Sequence, residues 1–470
     1  MWSLLKGFTY TIVSNVISLI VSFLTVLIIP KLLGIEEYGY FQLYLFYSLY
    51  VGFLHFGWID GIYLRYGGVQ YNALDKNLFN SQFMMLLFMQ FFLLATFSSI
   101  TFLNVSNHDR AFVFYMISIC MILLNLRYMF LYVLQITQRI KEYAQVTIMD
   151  RVLFGIIVLS LILLGVKDYK FIVVADLIGK LISLLYATYC CKEIVFRKTK
   201  ILRSHVCEVI ENVKIGIKLM FATIAGILIL GVVRYGIEKS WDVSTFGKVS
   251  LTLSLSNLLL TFINSVSIVL FPMLKRTSSE KLSNIYLSLR TLLMVILLGM
   301  LSFYFPIKLI MSDWLPKYAD SLKYMALLFP MCVFEGKMAL LINTYFKTMR
   351  KEKVMLQINS VTLLLSVIGT VVSVVSLRNL NLTVLLITIV IAFKSTVSEL
   401  ILSKSLRISI RKSIATELVL ISIFILTAWY LNSWYSFLIY TAFFIIYVII
   451  KRSDILLVFK KIRMVRRAQS

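Results

Sequence analysis

Residues 80–103 read Asn-Ser-Gln-Phe-Met-Met-Leu-Leu-Phe-Met-Gln-Phe-Phe-Leu-Leu-Ala-Thr-Phe-Ser-Ser-Ile-Thr-Phe-Leu, without one charged side chain. About 20 apolar residues, rising about 1.5 Å each, carry a helix across a hydrocarbon layer about 30 Å thick. The run is long enough to span. It also lacks the strict alternation of a barrel strand. Lipid admits only helices or closed barrels, because nothing else satisfies its own backbone there. Asn80–Leu103 is therefore a transmembrane helix, and the rest of the 470-residue chain repeats the pattern.

Thirteen further runs bring the expected spans to fourteen. Before and after Asn80–Leu103 stand Phe8–Pro30, Gln42–Leu64, Phe112–Leu134, Ile148–Val166 and Lys170–Cys190. Then come Ile215–Ile237, Thr245–Phe271, Leu287–Met311, Leu322–Tyr345, Met355–Leu377, Leu382–Ser403, Ile414–Leu431 and Trp434–Ile450. The first run follows a single Lys6 and lacks a small-x-small cleavage site, so it reads as a retained helix. With 60% hydrophobic and 15% charged residues, a soluble domain of this size could not hide its apolar surface. The hinges are too short to house a soluble catalytic domain.

An internal repeat organises the spans. Phe41-Gln42-Leu43 follows Tyr38-Gly39-Tyr40 after the first span, and Phe246-Gly247-Lys248-Val249-Ser250-Leu251 follows the seventh. Both read aromatic-Gly-x-apolar-polar-Leu. Thr137-Gln138-Arg139 after span four matches Thr348-Met349-Arg350 after span ten at nearly the same offset, with Arg139 opposite Arg350. Six spans separate the copies, so both halves enter the membrane with one polarity. The expected fold is an all-α integral membrane protein of about 14 transmembrane helices. Two six-helix lobes, 1–205 and 206–403, share parallel pseudo-two-fold symmetry, and 404–470 adds two accessory helices with a basic tail.

Lys and Arg near helix ends mark the cytoplasmic side. An inside N-terminus puts most of the 47 basic residues there, so both termini are expected in the cytoplasm. The net charge of +25 then faces anionic membrane lipids and not nucleic acid, since the cations are spread over many loops. Two stretches, Leu202–Val213 and Ile455–Val465, read as basic amphipathic helices on the membrane surface or as solvated charged segments. The five cysteines form no outside pair or metal spacing, and no cofactor is implied.

Leu33-Gly34 followed by Glu36-Glu37-Tyr38-Gly39-Tyr40-Phe41-Gln42-Leu43 resembles the signature after the first helix of bacterial polysaccharide flippases. These are the Wzx-type members of the multidrug/oligosaccharidyl-lipid/polysaccharide exporter superfamily. Gln135 through Tyr143, and Asn343 through Thr348 with Arg350 and Lys351, match as well. The resemblance implies a cargo of polyprenyl-diphosphate-linked oligosaccharide, turned from the cytoplasmic to the outer leaflet of the bacterial inner membrane. A polymerase and a chain-length regulator would be its partners.

Such a cargo needs cations inside the membrane, where each costs about 2.5–3.5 kcal/mol on insertion scales. Candidate substrate-binding residues are Arg127, Lys180, Arg234, Lys337 and Lys394. Arginine can grip phosphate with two bonds, whereas lysine acts as a point charge. Arg234 near a helix end can equally be a snorkelling residue. Asp176 stands four before Lys180, the spacing of a helical ion pair, to be read as structural or as a coupling switch. Asp60 is a candidate proton or sodium site, and Pro330 a candidate gating kink, with Pro272 and Pro306 beside it. Glu335 and Lys337 point to different faces.

Helix one carries no intramembrane charge, unlike the arginine and acid typical of lipid II flippases, which weighs against a peptidoglycan precursor. A multidrug exporter of the same superfamily and a membrane O-antigen polymerase are the alternatives. A polymerase would need a large outside loop or an acidic cluster, and the longest outside loop is Ser312–Ser321. A non-transporting assembly scaffold stays open.

Overall fold

A computed structural model describes residue 17 and residues 19–457 apart from 199, 201, 276–278 and 432–433. Side chains of 259 and 261–281 lie outside the description. No strand occurs among the described residues. Each predicted span has a helical counterpart. In chain order these are α1 Leu19–Leu32, α2 Ile35–Val51, α3 Trp58–Tyr66, α4 Lys76–Asn104, α5 His108–Ile136, α6 Ile140–Leu163, α7 Tyr169–Cys190 and α8 Arg203–Ser240. There follow α9 Val243–Lys275, α10 Leu282–Trp314, α11 Pro316–Leu328, α12 Met331–Thr348, α13 Glu352–Ser376, α14 Leu380–Ser405, α15 Arg411–Tyr430 and α16 Trp434–Ile450. Among the described residues nine helices are long and apolar enough to cross a membrane, and the α11–α12 pair makes a tenth.

The chain folds as two compact units. One comprises Met1–Ile227 with Val243–Gly247, the other Leu228–Asp242 with Lys248–Ser470. Helix α8 runs unbroken through residue 205, where the sequence suggested a lobe boundary.

In the first unit the second span is broken between α2 and α3. Left-handed backbone at Phe56 (φ 52°) and Gly57 (φ 79°) makes the break. Carbonyls freed inside a membrane have to find new donors. Asn125 on α5 donates to the Val51 carbonyl at 3.0 Å, and Gln90 on α4 donates to the Leu54 carbonyl at 2.9 Å. Both side chains are fully buried, and Asn125 also donates to Gln90 Oε1 at 3.1 Å.

Glycines set how closely helices cross. A Cβ on Gly61 would strike the backbone carbonyl of Asn212, and one on Gly57 would come 2.5 Å from the Ile217 nitrogen. Gly216 on α8 meets the same backbone from the other side. Small residues four apart let two helices touch backbone to backbone. The contact places Asn212 beside Gln82 (2.9 Å) and Arg65 (2.8 Å), Glu208 beside Arg65 (2.6 Å), and His205 beside Ser81 (2.7 Å). The polar side of Leu202–Val213 is thus taken up by the protein, while Leu202, Val206 and Ile210 stay exposed. This stretch is the start of α8 and packs on α3 and α4, because its polar face finds polar partners there. The other such stretch, Ile455–Val465, lies mostly outside the described residues. The two repeat glycines also meet, a Cβ on Gly247 coming 2.7 Å from Gly39 Cα.

The second unit bends at Pro330, where α11 and α12 diverge by 43°. Its core gathers Tyr286, Leu341, Tyr345, Phe346 and Leu402. The repeat is visible in the turns of the two units. After α5, Gln138 has φ 59° and Arg139 N–H bonds the Leu134 carbonyl. After α12, Arg350 has φ 53° and Lys351 N–H bonds the Phe346 carbonyl. The two turns align with Arg139 opposite Lys351, not Arg350, so the register read from the sequence is off by one residue.

Gly61→Val puts methyl groups where α8 backbone lies, and backbone cannot move aside as a side chain can. It should cost about 3 kcal/mol or more, the upper range of overpacking. Gly34→Ala, whose Cβ meets nothing nearer than 3.7 Å, should stay within about 0.5 kcal/mol of the parent. Thermal unfolding of the purified proteins, with the yield of monodisperse material, checks the contrast.

Candidate functional site

Each unit buries a group of charges within its helices. In the first, α5 supplies Arg127, α6 supplies Asp150, and α7 supplies Asp176, Lys180 and Ser183. Gly179 lets α7 lie against α6, since a Cβ there would come 2.9 Å from the Asp150 carbonyl. Arg127 Nη1 pairs with Asp150 Oδ2 and donates to Ser183 Oγ at 3.4 Å. Ser183 in turn donates to the Val146 carbonyl at 2.7 Å, which fixes its lone pairs towards the guanidinium. One turn along α7, Lys180 Nζ pairs with Asp176 Oδ2, and the Tyr44 hydroxyl donates to the same oxygen at 2.5 Å. Asp150 lies within electrostatic reach of Lys180, so the two pairs form one group of two cations and two anions.

In the second unit the group is tighter. Arg290 on α10 holds Glu399 of α14 at 2.6 Å and Glu417 of α15 at 2.7 Å. Lys337 on α12 holds the other Glu399 oxygen at 2.6 Å and stands 3.8 Å from Glu417. The Tyr286 hydroxyl donates to Glu399 at 3.2 Å. The side chains of Arg290, Lys337, Glu399 and Glu417 are 5, 3, 0 and 3% exposed, whereas those of Lys180 and Asp176 are each 12% exposed. Arg127 and Asp150 are each 9% exposed, so both groups are buried and Lys180 with Asp176 is the least closed pair. Two cations facing two carboxylates leave no charge uncompensated, which is the condition for keeping ions in a low-dielectric interior.

The remaining sequence candidates fall elsewhere. Arg234 is half-buried and donates to Ser250 Oγ at 3.1 Å. Lys394 stands 3.9 Å from Glu335, so Glu335 and Lys337 take different partners, as their spacing requires. Asp60 is buried, with His55 Nε2 at 3.8 Å, and Arg65 turns away from it to Glu208. Pro330 sits at the bend.

Asp150, Arg290 and Glu417 were missed in the sequence. Each lies near the start of an apolar run, where a charge reads as a headgroup anchor. The helices begin earlier than the runs, α6 at Ile140 and α15 at Arg411, so these charges lie well inside them. Tyr44 and Tyr286 carried no signal apart from being two of 26 tyrosines.

A family model described as polysaccharide biosynthesis protein matches residues 4–278. No curated protein matches the sequence. Among solved structures, an inward-facing multidrug resistance MATE family transporter of the MOP superfamily is similar with a TM-score of 0.60. The identity is 12%, over 87% of this chain and 98% of that one. Lipid II flippase MurJ in an inward closed conformation matches with a TM-score of 0.60 and 13% identity, over 96% of this chain and all of that one. An outward-facing MATE transporter follows with a TM-score of 0.54 at 14% identity, over 89% and 96%. At these identities the likeness carries the fold alone.

Removing one partner of a sealed ionic group strands the other. Glu399→Ala should lower stability by about 3–5 kcal/mol, read as a fall in unfolding temperature. Asp176→Asn combined with Lys180→Met removes both members of a pair and should cost less than Asp176→Asn alone.

Proposed function

Because the chain belongs to the polysaccharide biosynthesis protein family, we propose that it flips a polyprenyl-diphosphate-linked oligosaccharide repeat unit by alternating access. The cargo moves from the cytoplasmic to the outer leaflet of a bacterial inner membrane, for O-antigen, capsule or exopolysaccharide synthesis. Both termini are cytoplasmic in this reading, and a polymerase with a chain-length regulator receives the product. The protein itself makes and breaks no covalent bond.

The observation that supports the proposal is the buried charge group around Arg127, in which Lys180 and Asp176 are the least closed pair at 12% each. Its cations are matched one for one by carboxylates, and a diphosphate is a competing anion of the same geometry. Arg127 can exchange Asp150 for phosphate oxygens, keeping two-point contact through its planar fork. Lys180 can exchange Asp176 in the same way as a point charge. The carboxylates released are then free to take a proton or a metal cation, which couples cargo binding to Asp176. Asp60, buried beside His55, is a second candidate for coupling. Arg234 and Lys394 remain candidates for cargo contacts within the second unit. Lys337 is assigned instead to holding α12, α14 and α15 together, because its side chain is 3% exposed and faces Glu399 and Glu417. Pro330 would let α11 and α12 change their angle during the cycle.

Arg127→Ala, inserted at normal level, should lose about ten- to a hundredfold in flipping, the range for deleting one charged contact. Surface polysaccharide should fall while lipid-linked repeat units accumulate in the membrane. Arg127→Lys should keep part of the activity. Normal polysaccharide in Arg127→Ala would overturn the assignment, and drug sensitivity without a polysaccharide defect would point to an exporter. Pro330→Ala should slow transport without changing insertion; an unchanged rate would remove it from the gate.

A further inference from the structure

The second unit carries a cavity that no step of the proposed transport uses. It has a volume of about 550 Å³ and lies where α14 ends and α15 begins. Lys404 and Arg411 line it together with the hydroxyl residues Ser403 and Ser409. Its remaining wall is apolar, chiefly Leu400, Ile414 and Leu418. No acid lines it. Glu399 and Glu417 are chain neighbours of Leu400 and Leu418, but both turn inward to Arg290. The Lys404 and Arg411 side chains have no ion-pair or hydrogen-bond partner among the described residues, in contrast to the intramembrane cations.

The turn that shapes the cavity is fixed by backbone. Arg407 adopts φ 54°, and Ile408 N–H bonds the Ser403 carbonyl, so the chain reverses within a few residues. This brings the last turn of α14 and the first turn of α15 to one end of the cavity. Cations and hydroxyls stand at that end, and the apolar wall continues along both helices. A molecule that satisfies this arrangement has an anionic head and an aliphatic tail.

We propose that the cavity is a binding site for an anionic phospholipid of the surrounding membrane, its phosphate held by Lys404 and Arg411 and its chain laid along Leu400 and Ile414. Charge complementarity selects the head, since about 1 kcal/mol per Lys or Arg favours an anionic surface. The apolar wall excludes a purely soluble anion. An occupant here bridges α14 and α15, the two helices whose Glu399 and Glu417 hold Arg290, and so reinforces the attachment of the accessory pair. The inference does not rest on the identity of the transported cargo.

The test uses the purified full chain in detergent, reading unfolding temperature as lipid is added. Phosphatidylglycerol should raise it by several degrees, as any ligand that binds only the folded state does. Phosphatidylcholine and inorganic phosphate should each leave it unchanged. Lys404→Gln with Arg411→Gln should abolish the shift, and Ser409→Asp, which sets a carboxylate among the same cations, should reduce it. Arg407→Gln with Lys412→Gln removes equal charge from exposed residues that do not line the cavity and should keep the shift. Equal loss in the two double variants would mean diffuse surface charge and overturn the site. So would a shift that survives Lys404→Gln with Arg411→Gln, or one that inorganic phosphate reproduces in full.

Discussion

Hydrocarbon offers a polar group no partner, and this constraint shapes every departure of the chain from straight apolar helices. Where α2 breaks, buried amides on α4 and α5 take up the freed carbonyls of Val51 and Leu54. Where α3 crosses α8, glycines bring backbones so close that Asn212 and Gln82 reach each other. Where Arg127, Lys180, Arg290 and Lys337 enter the helices, each has a carboxylate within bonding distance. The irregular positions are therefore the expensive ones, and the polar residues of the spans are concentrated on them.

That constraint also explains what could be read from residues alone. Helix order and type followed from length and apolarity, and each run has a helical counterpart among the described residues. The glycine repeat and the Asp176–Lys180 pair were legible because they depend on spacing within one segment. The break before Gly57 was not. It contains no proline, and its stability comes from Asn125 and Gln90, far away in sequence. Partners on other helices were likewise hidden: nothing in the sequence near Arg127 points to Asp150, and nothing near Lys337 points to Glu399. The amphipathic pattern of Leu202–Val213 was genuine, but periodicity cannot tell whether the polar face meets headgroups or another helix.

The two charge groups divide the labour within their own units. Around Arg290 the ions are almost fully buried and link α10, α12, α14 and α15 to one another. Around Arg127 the same number of ions is less tightly closed, with Lys180 partly exposed and a tyrosine hydroxyl completing the set. Similar composition is thus almost fully buried in one unit and slightly more open in the other. The difference is accessibility, not residue type. A count of intramembrane charges would rank Lys337 with Lys180, whereas their surroundings separate them.

The balance of signs in each group has an electrical consequence. Moving one elementary charge through a potential of 100 mV takes about 2.3 kcal/mol. Two cations bound to two carboxylates sum to zero, so the resting field exerts almost no net pull on either cluster as its helices shift. Under the proposed exchange, voltage sensitivity would enter with the ions or phosphates that displace those carboxylates.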